Sequence, residues 1–158
     1  MNFNKTLNYF TYDFPYRGND SKFIIDEFNF LSDKFNRVNL IPLKRKKDII
    51  FLKKKNIFVD YNLNNEIFNL KNLPIKLLKI ITCKYLWNEI IKLKFRNNFF
   101  LKIKIIFTER FLAESIYFYI KNTKVDQTES IYYSFWANHT LLGFFLLKKK
   151  KIINFCFS

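Results

Sequence analysis

The sequence predicts an α/β fold, a Rossmann-like parallel sheet flanked by helices, and three observations lead there. The chain opens in the order strand, loop, helix, strand: Leu7–Tyr12, a loop Asp13–Asp20 that holds Pro15 and Gly18, a helix-patterned Ser21–Phe35, and the apolar run Val38–Leu43. It closes in the same order, with Glu129–Phe135 as a strand, a turn at Trp136–His139, a helix from about Asn138 to Lys149 and a strand Lys151–Phe157. Both orders are βαβ units, which place parallel strands side by side. The third observation is composition: 158 residues, 49% hydrophobic and 20% aromatic, suffice for one domain with a packed core and argue against disorder.

In the first helix, Ile24, Phe28, Leu31 and Phe35 recur at spacings of four, three and four and form an apolar face, while Asp26, Asn29, Asp33 and Lys34 face water. Asp20 or Ser21 is the expected cap, and Asn36 and Arg37 form a short loop before the second strand. Residues 44–72 are the least legible; one more strand is expected there, from Asp48–Leu52 or Ile57–Tyr61. Pro74 suits the first turn of a helix, and Ile80, Cys83, Trp87 and Ile90 continue its period to about Leu93. A second long helix is expected from about Asn98 to Lys121, with Leu101, Ile105, Leu112, Ile116 and Tyr119 on one stripe and Thr108 in its gap. The organisation expected is a single domain over 1–158 with a helical insertion at about 73–122.

A formal charge of +15 points to an anionic partner, nucleic acid or membrane. Two features weaken the nucleic-acid reading. Phe, Ile, Lys and Asn, all with AT-rich codons, make up 83 of the 158 residues, which indicates a base-composition bias in the gene. Lysine outnumbers arginine 23 to 5, whereas base and phosphate recognition favours arginine's planar fork. The Lys148–Lys151 run reads as a solvated helix end that suits the helix dipole. The first residues lack the apolar core of a secretory signal, and the longest apolar run, Leu141–Leu147, is too short to span a bilayer. The location expected is the cytoplasm, with peripheral contact at the inner membrane face as a secondary expectation.

Several chemistries are excluded by residue type. Two glycines cannot make a Walker loop or a GxGxxG turn. HExxH and GxSxG are absent, and one histidine with two isolated cysteines, Cys83 and Cys156, assembles no conventional zinc site. No metal, cofactor or catalytic residue is assigned; the cysteines read as buried thiols.

The segments Phe14–Leu43 and Ser130–Ile152 resemble the N-terminal, acceptor-side domain of bacterial family 4 glycosyltransferases of the GT-B fold. The likeness lies in the loop Phe14-Pro15-Tyr16-Arg17-Gly18, the Phe23-Ile24 pair that opens the first helix, the strand end Tyr133-Ser134-Phe135-Trp136 and the lysine-ended helix after it. It is weak through the middle of the chain. Ser21 stands where relatives often carry glutamate, and a Ser-Arg-x-His-Gly segment that follows the matching strand in relatives is not within these residues. The resemblance implies a nucleotide-sugar donor, a saccharide or lipid-linked acceptor, polysaccharide biosynthesis, and no activity from these residues alone, because the donor domain would lie elsewhere or on a second chain.

Within that frame the candidate acceptor- or phosphate-side residues are Pro15, Tyr16, Arg17, Gly18, Tyr133, Trp136, Asn138 and His139. Gly18 would let backbone approach a ligand, or simply make a turn. Arg17 would pair with phosphate or stay solvated. Tyr133 and Trp136 would stack on a sugar ring or belong to the core. His139 sits where an acid-base group or a helix-start contact belongs. The alternative from another class is a small basic protein that binds nucleic acid or an anionic membrane.

Overall fold

The computed structural model describes residues 3–16, 21–44, 54–92, 98–123, 130–135 and 155–157. Five parallel strands, β1 (Phe3–Thr11), β2 (Phe35–Pro42), β3 (Ile57–Val59), β4 (Ser130–Ser134) and β5 (Phe155–Phe157), form one sheet in the order β3-β2-β1-β4-β5. The helices are α1 (Ser21–Ser32), α2 (Asn62–Ile67), α3 (Leu73–Ile81), α4 (Lys84–Lys92) and α5 (Phe99–Asn122). The fold is therefore α/β and Rossmann-like, as expected.

Side chains alternate across each strand, and each face of the sheet takes one helical layer. On one face Leu7, Tyr9, Val38 and Leu40 pack with Ile24 and Phe28 of α1. On the other, Phe10, Ile41 and Tyr132 pack with Leu63 of α2 and Ile116, Tyr119 and Ile120 of α5. Cover on both faces explains why Val38 to Leu43 is buried without interruption, the pattern of a parallel strand inside an α/β sandwich.

Three local expectations are corrected. The first helix stops at Ser32, and Phe35, expected as its last apolar position, is the first residue of β2, paired with Phe3. Asn36 and Arg37 consequently lie in the strand. Lys54 and Asn56 close the helix end: the Lys54 ammonium donates to the Asn29 carbonyl at 2.8 Å, and the Asn56 amide donates to the carbonyls of Ser32 and Phe35 at 2.8 and 2.9 Å. These bonds satisfy carbonyls that a helix leaves open.

The long helix expected to about Leu93 is two helices, α3 and α4, broken at Thr82 and Cys83. Three successive β-branched residues, Ile80, Ile81 and Thr82, crowd that turn. The Thr82 hydroxyl donates back to the Leu78 carbonyl at 2.8 Å, and the Trp87 indole N–H takes the Ile81 carbonyl. In residues 44–72 the expected strand is present at Ile57–Val59, within Ile57–Tyr61, while Asp48–Leu52 lies outside the described residues; α2 follows, which the sequence did not signal. Finally, the α5 stripe reaches the core only in its second half: Ile116 and Tyr119 are buried, whereas Leu101 and Ile105 are exposed. Cys83 is a free, half-buried thiol.

Candidate functional site

In an open parallel sheet, ligands bind beyond the carboxyl ends of the strands, at the point where the chain's direction of travel reverses. Here that point lies between β1 and β4, paired from Thr6↔Ser130 to Phe10↔Ser134. Beyond β1 the chain makes a tight turn, with the Tyr16 N–H donating to the Asp13 carbonyl at 2.9 Å and a cis Phe14–Pro15 bond. The Thr11 hydroxyl donates to the Phe14 carbonyl, and Phe14 is wedged against Phe28 of α1, ring centroids 5.1 Å apart. Pro15 and Tyr16 are buried in this turn. Lys44, just past β2, holds its ammonium 4.4 Å from the Tyr12 ring centroid.

Tyr133 belongs to the α1 side of the sheet. Its ring stacks on Tyr9 at 5.0 Å, and both hydroxyls donate to the Glu27 carboxylate. Burial, then the charge of Glu27, pushes the Tyr9 hydroxyl far above its ordinary pKa, so it serves as a neutral donor. The structure thus brings Pro15, Tyr16 and Tyr133 to the neighbourhood of one strand junction. Arg17, Gly18, Trp136, Asn138 and His139 lie outside the described residues.

One strand further out, on the α2 side, an open cleft of about 540 Å³ is lined by Arg37 and Asn39 of β2, Phe58 to Tyr61 at the end of β3, and Asn62 and Asn65 of α2. Its wall is organised by hydrogen bonds. The Arg37 guanidinium lies 4.8 Å from the Phe58 ring centroid and donates through Nε to Asn39 Oδ1 at 3.0 Å. The Asn39 amide in turn donates to Asn8 Oδ1 at 2.8 Å. Asp60 accepts from the Asn62 N–H and from the Tyr119 hydroxyl, both at 2.8 Å. Burial and the Asp60 charge raise the Tyr119 pKa strongly, which keeps that hydroxyl a donor. A smaller cavity of about 360 Å³, lined by Asn62, Glu66, Tyr119, Asn122 and Thr123, adjoins through Asn62.

Comparison of the chain with family models, with curated proteins and with solved structures finds no match. The chemistry of the site therefore stands on its residues. A guanidinium, a carboxylate, three carboxamides and two aromatic rings line one open wall, groups whose chemistry is hydrogen bonding and ring stacking. Among the described residues no cluster of His, Cys, Asp and Glu is disposed to hold a metal ion. The cleft residues were not singled out in the sequence, although Asp60-Tyr61-Asn62-Leu63-Asn64-Asn65 directly after the β-rich Ile57-Phe58-Val59 has the composition of a strand-end ligand loop.

The buried tyrosines give the fold a defined alkaline limit. Burial pushes Tyr132 up to about 12 from its ordinary 10.0. Because the folded value is the higher, its contribution to stability is complete below pH 10 and is lost as pH rises toward 12. At about 1.4 kcal/mol per unit, the loss for this residue is about 3 kcal/mol, and Tyr9 and Tyr119 act in the same direction. Urea unfolding is expected to weaken only above pH 10, together with late tyrosinate absorbance. Tyrosines that all ionise near 10 in the folded chain would contradict this.

Proposed function

We propose that these residues form the acceptor-side domain of a glycosyltransferase that moves a sugar from a nucleotide-sugar donor to a saccharide or lipid-linked acceptor, and that alone they turn nothing over. The single observation that carries this reading is convergence. The two segments that resemble family 4 glycosyltransferases, more than 80 residues apart in the chain, supply β2 and β4, the two strands that flank β1 on either side, and the Phe14–Tyr16 turn that leaves β1 between them. The neighbouring cleft supports an acceptor in particular, since its amides, Arg37 and Asp60 suit sugar hydroxyls and its rings suit the apolar face of a pyranose. Donor binding and the groups that stabilise a departing nucleoside diphosphate would come from another domain or chain. No described helix is long and apolar enough to cross a membrane, and contact with the inner face of one, where lipid-linked acceptors reside, belongs to the same proposal.

Saturation-transfer NMR on the 158-residue chain with oligosaccharides of glucose, galactose, mannose and N-acetylglucosamine, beside UDP-glucose, tests the reading. Saturation is expected on at least one oligosaccharide and not on UDP-glucose. Asn62→Ala or Asn65→Ala, at exposed positions, should each weaken binding about fivefold, the worth of one hydrogen bond. Binding of UDP-glucose without any oligosaccharide, or sugar turnover by the chain alone, would overturn it.

A further inference from the structure

The helix α3 is inside out. Its sequence, Leu73-Pro74-Ile75-Lys76-Leu77-Leu78-Lys79-Ile80-Ile81, holds two charges: Lys76 is buried and Lys79 is half-buried against α5. The Lys76 side chain is 0% exposed and pairs with Glu66 at 2.9 Å. Lys79 lies over the rings of Tyr117 and Phe118, at 4.4 and 4.3 Å, with its ammonium 3.7 Å from the buried carboxylate of Glu114. Four of its apolar side chains face out, Ile75, Leu77, Leu78 and Ile81 at 49, 43, 63 and 53% exposed, while Ile80 alone is fully buried. In water this arrangement runs against the ordinary preference of both residue classes.

The inversion is not confined to α3. Of the fourteen large hydrophobic side chains exposed among the described residues, eleven fall between Phe68 and Ile105, including Trp87 of α4 and Phe100 of α5, which is 83% exposed. So large an apolar exposure marks an interaction surface. Interleaved with it among the described residues are five exposed lysines, Lys71, Lys84, Lys92, Lys102 and Lys104, against one exposed carboxylate, Glu89.

We infer that α3, α4 and the first half of α5 dock on the surface of an anionic lipid bilayer, with Ile75, Leu77, Leu78 and Ile81 of α3 in the acyl boundary and the exposed lysines at the headgroups. The inference stands on this surface alone and does not need the glycosyltransferase reading. Charge selects the occupant. A second copy would bring like-charged lysine fringes together on a chain of +15. Nucleic acid rewards arginine and stacked rings, and gains little from aliphatic side chains. Anionic lipid satisfies both halves of the surface, apolar burial and about 1 kcal/mol per lysine near the headgroups. No described helix meets the length and apolarity of a membrane span, so the helices lie along the interface.

Flotation of the 158-residue chain with vesicles of phosphatidylcholine alone, or with about one third phosphatidylglycerol, tests the inference. Binding is expected to be at least about tenfold tighter to the anionic vesicles and to weaken as salt rises. The double substitution Leu78→Glu, Ile81→Glu adds charge only at exposed positions. It should lower partition at least about tenfold through lost apolar burial and repulsion from the lipid, with circular dichroism unchanged. Equal partition of wild type and variant, or no vesicle binding, overturns it. So does a dimer in sedimentation that the same substitutions dissolve, or retention on a DNA duplex with none on vesicles. Loss of oligosaccharide binding with vesicle binding intact would overturn the proposed function and leave this inference standing.

Discussion

Lys76→Met is expected to destabilise the fold by about 3–5 kcal/mol, the cost of leaving one member of a buried ion pair without its partner. Glu66 is buried and holds Lys76 through both a carboxylate oxygen at 2.9 Å and its backbone carbonyl, while the Asn72 amide donates to the same carboxylate at 2.9 Å. Lys76 also lies over Phe111 and Phe118 of α5, at 5.5 and 5.9 Å. One ammonium thus ties α2, α3 and α5 together. Domains of this size hold only about 5–15 kcal/mol in all, so the single variant sits near the edge of unfolding. The double variant Lys76→Met, Glu66→Leu should regain most of the loss, since an apolar pair of similar volume replaces a buried ion pair at little net cost. Urea titration followed by circular dichroism measures both, and a loss below about 1 kcal/mol for Lys76→Met would show that the pair is solvated.

Phe28→Ala carries a comparable penalty of about 3–5 kcal/mol, from transfer and cavity terms. Phe28 is fully buried, meets Tyr9 edge-on at 5.3 Å and meets Phe14 at 5.1 Å. Its loss therefore has a local signature as well. Phe14 belongs to the turn after β1, and without the ring beneath it the turn Asp13–Tyr16 loses its seat on α1. Amide exchange at Tyr16, which bonds to Asp13, should accelerate beyond what the global loss of stability explains. If exchange there only tracks global unfolding, the turn is held by β1 alone.

The residues that set the sheet were legible because period and burial coincide there. Val38 to Leu43 reads as a buried strand and is one, and Ile24 and Phe28 read as the inward stripe of α1 and pack there. Failure came where an apolar residue serves either period, as Phe35 does, four residues after Leu31 and also opposite Phe3. In α3 the rule that apolar residues face inward fails for Ile75, Leu77, Leu78 and Ile81. Ile80 is buried as expected, but Trp87, on the same predicted stripe, is 44% exposed beyond the break. What inverts the helix is a pair of carboxylates, Glu66 and Glu114, ten and thirty-five residues from the lysines they hold, and no local pattern reports such partners. The cleft was missed for a related reason: Arg37 and Asn39 become its wall only once β2 is placed beside β3.

The amide pair Asn8–Asn39 has a consequence for how the sheet assembles. Both residues are almost fully buried, directly opposite one another on β1 and β2, and joined by a 2.8 Å bond. Parallel strands rich in Val, Leu, Ile and Phe have little to tell one alignment from the next, yet a shift of one residue exchanges their faces. Such a slip would set Asn8 against Val38 or Leu40 and strand a carboxamide in an aliphatic layer, where a buried polar group without a partner is costly. The polar pair widens the gap between the native alignment and its nearest competitors. It works as a key cut for one position of the lock, a safeguard against mispairing in a chain otherwise built from interchangeable apolar residues.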